Sequence, residues 1–282
     1  MPTTAVIADS SCGLPPELVA QWGITIVPID VIVDSVVSPN LTSQQLVDAL
    51  RHGRTVTTSR PNPEDFLQVF RHAVEQGADQ LLVATLSAEL SGTHESAMLA
   101  CREVGVPIRV VDTRNVGLGF GFAVLDAARM VREDPTSPLD VMALALERTA
   151  ASTSVFVYLD SLVYLRRGGR ISATSAFVGT ALSVKPIVQI TGGQIAPCDK
   201  VRTEYKALAR LVELAGLCGP EAGPRRFGVQ HLGAPDKAEH CVQLLLTRHP
   251  GADIVVSEVT PVIGAHAGPG LVAVIAPPLP GD

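Results

Sequence analysis

Thr85-Leu-Ser-Ala-Glu-Leu-Ser-Gly-Thr-His-Glu-Ser96 decides the fold, because it joins two segments of different periodicity. Before it, the apolar run Gln80 to Ala84 reads as a buried strand; after it, Ser96 to Val104 carries apolar residues at helical spacing. The spacing predicts a strand that hands over to a helix with Ser91 as N-cap. Gly92 leaves room for another group to approach the first free backbone amides, so the junction offers hydroxyls and N–H donors to one small anion. An ordinary capped helix explains the same residues without any ligand.

Working outward, the flanking segments repeat the same unit. Thr4 to Ala8 reads as a strand with Asp9-Ser-Ser11 at its carboxyl end, where open α/β sheets keep their ligand groups. Pro15 and Pro16 start a short helix to Trp22, Ile24 to Ile29 and Val31 to Val37 read as strands, and Thr42-Ser-Gln-Gln45 is a capping box opening a helix to His52. Thr55 to Ser59 is extended, and Asn62 with Pro63 caps a helix to Gln76. Pro107 to Val111 is the next strand, followed by helices to Val131 and from Pro138 to Ala150. Gly117-Leu-Gly-Phe-Gly121 is not a dinucleotide fingerprint, since Phe122 stands where a third glycine belongs, so it reads as close helix packing.

The second half opens with a strand at Ser154 to Tyr158, a short helix from Ser161 to Arg167, and Gly168-Gly-Arg-Ile-Ser172, a loop that two glycines free to bend sharply. Ala173 to Ser183 is small and apolar, Lys185 to Ile190 is a strand, and Thr191-Gly-Gly-Gln194 is a hairpin turn. A helix from Thr203 to Leu217 precedes a βαβ unit made of Phe227 to His231, Asp236 to Arg248 and Asp253 to Val259. Pro and Gly gather between Gly219 and Pro224, and Val262 to Gly270 reads as a flexible loop carrying His266 before a last strand from Leu271. Two α/β domains, 1–152 and 153–282, are expected, the first with a Rossmann-like, mainly parallel sheet.

Composition narrows the function. The 282 residues carry a formal charge of −6, with a pI near 5.6, and only Arg166, Arg167 and Arg170 cluster, which argues against a nucleic-acid partner. The five cysteines, Cys12, Cys101, Cys198, Cys218 and Cys241, are far apart with no Cys-x-x-Cys pair; no metal site is expected and a reducing cytoplasm fits. Apolar runs are broken before they reach membrane-spanning length, so no stable membrane insertion is expected.

Taken together, Asp9-Ser-Ser, Thr58-Ser-Arg-Pro61, Leu90-Ser-Gly-Thr93, Tyr164-Leu-Arg-Arg-Gly-Gly-Arg-Ile171, Lys185-Pro186 and His266-Ala-Gly-Pro-Gly270 resemble, in order and spacing, the motifs of the DegV family of bacterial fatty-acid-binding proteins. The resemblance implies a long-chain fatty acid held in a tunnel between two α/β domains, with no other cofactor and no catalysis by the chain itself. It further implies a partner, a dihydroxyacetone-kinase-like fatty acid kinase subunit that makes an acyl phosphate for phospholipid synthesis.

Carried over by motif, Thr58 and Ser91 resemble the hydroxyls that hold the carboxylate, with Gly92 giving backbone access, His266 nearby and Arg170 exposed beside the opening. The chain departs from the family at His94, where tyrosine is common, at Arg60, where glutamine is common, and at Gly13, where aspartate is common. Arg60 adds a cation near Thr58. An alternative reading is a serine-dependent lipid hydrolase or acyltransferase, with Ser91 as nucleophile, His266 as base and Asp9 or Asp112 as orienting acid. Glu-Leu-Ser91-Gly-Thr lacks the Gly-x-Ser-x-Gly elbow, which counts against an α/β-hydrolase. Nucleotide binding lacks a Walker loop as well as the full fingerprint.

Overall fold

The computed structural model describes residues 3–171, 184–218 and 225–279. The segment expected from Ala173 to Ser183, Ser172 before it, and the Gly219 to Pro224 turn lie outside the described residues. The chain groups into two compact units, residues 1–30 with 59–152, and residues 31–58 with 153–282.

In the first unit, the strands Thr25–Val27, Thr4–Asp9, Gln80–Thr85 and Ile108–Asp112 lie side by side in that order, all parallel. Every residue of Gln80–Thr85 is buried, as expected for a parallel strand covered on both faces. On one face Ile7, Leu81 and Val83 pack against Phe66, Phe70, Ala97 and Ala100. Alternation turns Leu82 and Ala84 to the opposite face, and the helix Leu139–Ser152 packs on this strand, as Leu118–Glu133 does on Thr4–Asp9. The chain order of the strands is 2-1-3-4, so the topological switch point falls between Thr4–Asp9 and Gln80–Thr85.

The second unit holds a six-stranded mixed sheet ordered Gln194–Val201, Lys185–Thr191, Ser154–Tyr158, Val272–Ala276, Arg226–His231 and Asp253–Glu258. Only the last two pair in parallel, joined by the helix Pro235–Arg248. That helix and Glu204–Gly216 bury Leu211, Val212, Cys241 and Leu245 against Tyr158, Phe227, Val229 and Val274.

The expected boundaries differ in one place, since residues 31–58 group with the second unit. They form a three-stranded antiparallel sheet, Val36–Val37, Val31–Val33 and Val56–Thr58, and the helix Ser43–Arg51. Leu46 and Val47 of this helix are almost fully buried. Leu46 meets Gly264, where an added Cβ would stand 2.5 Å from Leu46 Cδ2, and Val47 meets Gly233 in the same way at 3.0 Å. Apolar burial against the second unit therefore decides the grouping, over sequence distance.

Three local expectations are corrected. The single strand Val31 to Val37 is a hairpin, because Asp34 and Ser35 both take left-handed backbone angles, with φ of 48° and 68°, and Asp34 Oδ1 accepts the Thr55 N–H. Ser91 is not the N-cap. The helix runs Thr93–Ala100 with Gly92 at the cap position and no side-chain capping bond, because Ser91 Oγ pairs with Thr93 Oγ1 instead. His266 lies on a helix, Pro261–Ala267, not in a loop. Pro261 is pre-set for the first helical position, and Gly264 lets the helix settle onto Leu46 and Leu232.

Candidate functional site

The Ser91 turn is built from the sheet outward. Asp9, wholly buried, accepts from Ser11 N–H and Oγ–H through Oδ1 and from the Leu86 N–H through Oδ2. On the other flank Asp112 Oδ1 accepts from Ala88 and Arg114 amides, and Thr113 Oγ1 donates to the Thr85 carbonyl. Carboxylates from both neighbouring strands thus pin the segment that leaves Gln80–Thr85 at the switch point. Leu90 and Ser91 then donate their amides to the Ser87 carbonyl, closing the turn that carries Ser91 and Gly92. Burial raises the Asp9 carboxyl to about 6, partly offset by its hydrogen bonds.

Ser91 Oγ lies 2.8 Å from Thr93 Oγ1; with the buried Thr93 as donor, Ser91 keeps its own hydrogen to donate outward. Beside them, Arg60 lies over Gly92. A Cβ on Gly92 would stand 3.0 Å from Arg60 Cδ and 3.1 Å from Nη1, and the same Nη1 donates to Glu95 Oε2 at 3.0 Å. His94 Nδ1 meets Thr85 Oγ1 at 3.1 Å.

Thr58, His266 and Arg170 come together in the second unit. Thr58 ends the strand Val56–Thr58, on which the helix Pro261–Ala267 packs, and its Oγ1 is 2.8 Å from His266 Nε2. Burial, with the Arg170 charge adding to it, lowers the His266 pKa to about 4. At neutral pH the imidazole is therefore uncharged. In the tautomer that places its hydrogen on Nε2, that N–H donates to Thr58 and frees the threonine hydroxyl to donate to an anion.

The two glycine-rich motifs are halves of one packing unit. The helix Val163–Arg167 ends with Gly168, whose added Cβ would meet His266 Nδ1 at 2.4 Å, so the bare backbone seats the imidazole. Gly169 turns back at φ +70°, Arg170 donates its amide to Leu165, and its Nη1 donates to the Gly168 carbonyl. Reciprocally, a Cβ on Gly268 would collide with the Tyr164 ring at 2.1 Å, and one on Gly270 with Asp160. Asp160 accepts from Tyr158, Lys185 and Lys237. Burial opposes its charge, but the Tyr158 hydroxyl and the two lysines hold the carboxyl below its usual range. Sequence reading missed Asp160, Gly168 as a seat, and the Arg60–Glu95 pair; the only trace of the first was Gly270, which must lack a side chain to admit it.

The sequence-derived residues thus fall into two sets, Ser91 with Gly92 in the first unit and Thr58, His266 and Arg170 in the second. Asp9 and Asp112 are engaged in capping backbone amides. Among the described residues no cluster of His, Cys, Asp and Glu can hold a metal, and no helix is long and apolar enough to cross a membrane.

Comparison with known proteins agrees with this architecture. The chain is 46% identical over 277 residues to a DegV domain-containing protein of Streptomyces coelicolor, covering 96% of this chain and 97% of that one. A DegV domain-containing protein of Deinococcus radiodurans is 35% identical, covering 98% of each. Among solved structures, a DegV family protein of Thermus thermophilus described for its fatty acid binding superposes with a TM-score of 0.91 at 31% identity, over 98% of this chain and 99% of that one. DegV of Bacillus subtilis, described as a fatty acid binding protein, gives 0.89 at 27% identity, over 98% and 99%. Residues 3–278 match the model of the family described as "Uncharacterised protein, DegV family", and the chain belongs to that family.

Proposed function

We propose that this protein binds a long-chain fatty acid and presents its carboxylate to a separate, dihydroxyacetone-kinase-like kinase that forms the acyl phosphate. In this reading Thr58, Ser91, Gly92 and His266 bind the carboxylate, Arg170 faces the partner, the acyl chain fills an apolar tunnel, and the chain itself works in the cytoplasm without catalysing a reaction. The observation that carries it is the Thr58 Oγ1 to His266 Nε2 pair at 2.8 Å around a half-buried, neutral imidazole. A carboxylate drawn out of water must keep hydrogen bonds or take up a proton, and a hydroxyl backed by an imidazole supplies a donor without a permanent buried cation. The fatty acid binding of the Thermus and Bacillus proteins supports the ligand class. Each buried CH₂ of the chain contributes at most about 0.8 kcal/mol, less the cost of ordering it.

The hydrolase reading finds less support, since its two candidate acids are occupied as caps. The test extracts the purified protein with organic solvent and identifies the released lipid by mass spectrometry, then measures fatty-acid affinity of Thr58→Val and Ser91→Ala. Near-stoichiometric fatty acid is expected, with each variant weakened roughly tenfold, the lower end of about 1.5 to 3 kcal/mol for a hydrogen bond to a charged acceptor. A protein that carries no fatty acid and binds none when it is added refutes the carrier reading. Sustained hydrolysis of acyl esters, lost in Ser91→Ala, replaces it with the enzyme.

A further inference from the structure

We propose that Arg60 is a specificity residue for the charge of the head group, held in reserve by Glu95. The inference rests on the reading that the Ser91–Gly92 turn receives the carboxylate, and it goes beyond it by naming the residue that selects the ionised form. The guanidinium lies against Gly92, with Nη1 3.1 Å from the point where a side chain there would begin, so a side chain at this position would press on it. Its Nη1 donates to Glu95 Oε2 at 3.0 Å, and Glu95 sits in the first turn of the helix that Gly92 caps. Arg60, Gly92 and Glu95 thus form one surface triad around the turn.

The pair is weak by construction. The side chains of Arg60 and Glu95 are 62% and 69% exposed, and an ion pair in that setting adds little to stability. An incoming carboxylate at the turn can therefore take the guanidinium from Glu95, and the planar fork can give two parallel N–H donors to its two oxygens. Glu95 competes for the same donors. The arginine adds nothing for an uncharged head group, so its effect is a difference between acid and ester instead of a uniform gain.

The experiment measures affinities of palmitate and of palmitate methyl ester for the full chain and for Arg60→Gln and Glu95→Gln, at low and high salt. Arg60→Gln is expected to lower the acid-to-ester affinity ratio about threefold to tenfold and to flatten the salt dependence of acid binding. Glu95→Gln is expected to raise the ratio about twofold to fivefold by removing the competitor. An unchanged ratio in Arg60→Gln, or a ratio in Glu95→Gln that stays level or falls, overturns the assignment while leaving the carrier reading intact. A wild-type protein that binds neither probe refutes the carrier reading and this inference with it. Both side chains are largely exposed, and matching melting temperatures for the three proteins exclude a folding effect.

Discussion

Replacing His266 by glutamine tests the electrostatics of the Thr58 pair directly. The folded-state pKa of the imidazole is lowered from 6.5 to about 4, mainly by burial, with Arg170 adding to it. Between these values the unfolded chain binds more protons than the folded one, so the stability contributed by the neutral ring rises with pH. It is complete above about pH 6.5 and is lost as pH falls towards about 4. The full gap, at about 1.4 kcal/mol per pH unit, sets an upper limit of roughly 3 kcal/mol, and the part felt between about pH 7 and about pH 4.5 is roughly 2 kcal/mol. His266→Gln loses the Thr58 contact at every pH but does not lose this increment on acidification. Urea unfolding of both proteins across the range should therefore show their stabilities converging by roughly 2 kcal/mol as pH falls. Asp9, His231 and His249, whose pKa values are also shifted, are common to both chains and cancel in the difference. Ring resonances followed by NMR supply the site-specific reading, and Arg170→Ala should move the His266 midpoint upward. Parallel stability curves, or a ring that titrates near 6.5, would falsify the claim of a half-buried neutral imidazole.

Two further outcomes are expected. Gly268→Ala puts a Cβ 2.1 Å from the Tyr164 ring at a backbone φ of +80°, whereas Gly23→Ala, at φ +62°, meets nothing within 4 Å. The first should therefore lower stability by about 2 to 4 kcal/mol and the second by about 1, and equal losses would show that backbone strain alone is at work. On the proposed presenting role, Arg170→Ala should retain fatty acid but depress ATP-dependent acyl-phosphate formation with a candidate kinase from the same cell, because a guanidinium can stabilise the phosphoryl group in transfer; full activity in that assay removes Arg170 from the partner-facing role.

Much of the fold is written locally. The buried run at Gln80 to Ala84, the Thr42 capping box, the Asn62–Pro63 cap and the Gly192–Gly193 hairpin are set by short-range chemistry, and the elements stand where that chemistry puts them. Thr58, Ser91, Gly92, Arg170 and His266 were legible as candidates because their motifs keep order and spacing along the chain. Less legible was each residue's setting. Ser91 looked like a cap because its type suits one, yet the neighbouring Thr93 hydroxyl is a competing partner that no propensity weighs. The segment around His266 reads as a loop because it is rich in glycine, but Pro261 opens a helix there, and its Gly264 packs against Leu46, more than two hundred residues away in sequence.

The sequence by itself determined the alternation of strands and helices, the parallel character of the first sheet and the family, because periodicity, caps and turn residues act over a few positions. Only the tertiary structure decided that residues 31–58 join the second unit, that Gly168 seats the His266 ring, and that Arg60 lies over Gly92 beside Glu95. Each of these depends on which surfaces exclude water together and on how closely two backbones can approach, and neither quantity has a local signature in the chain.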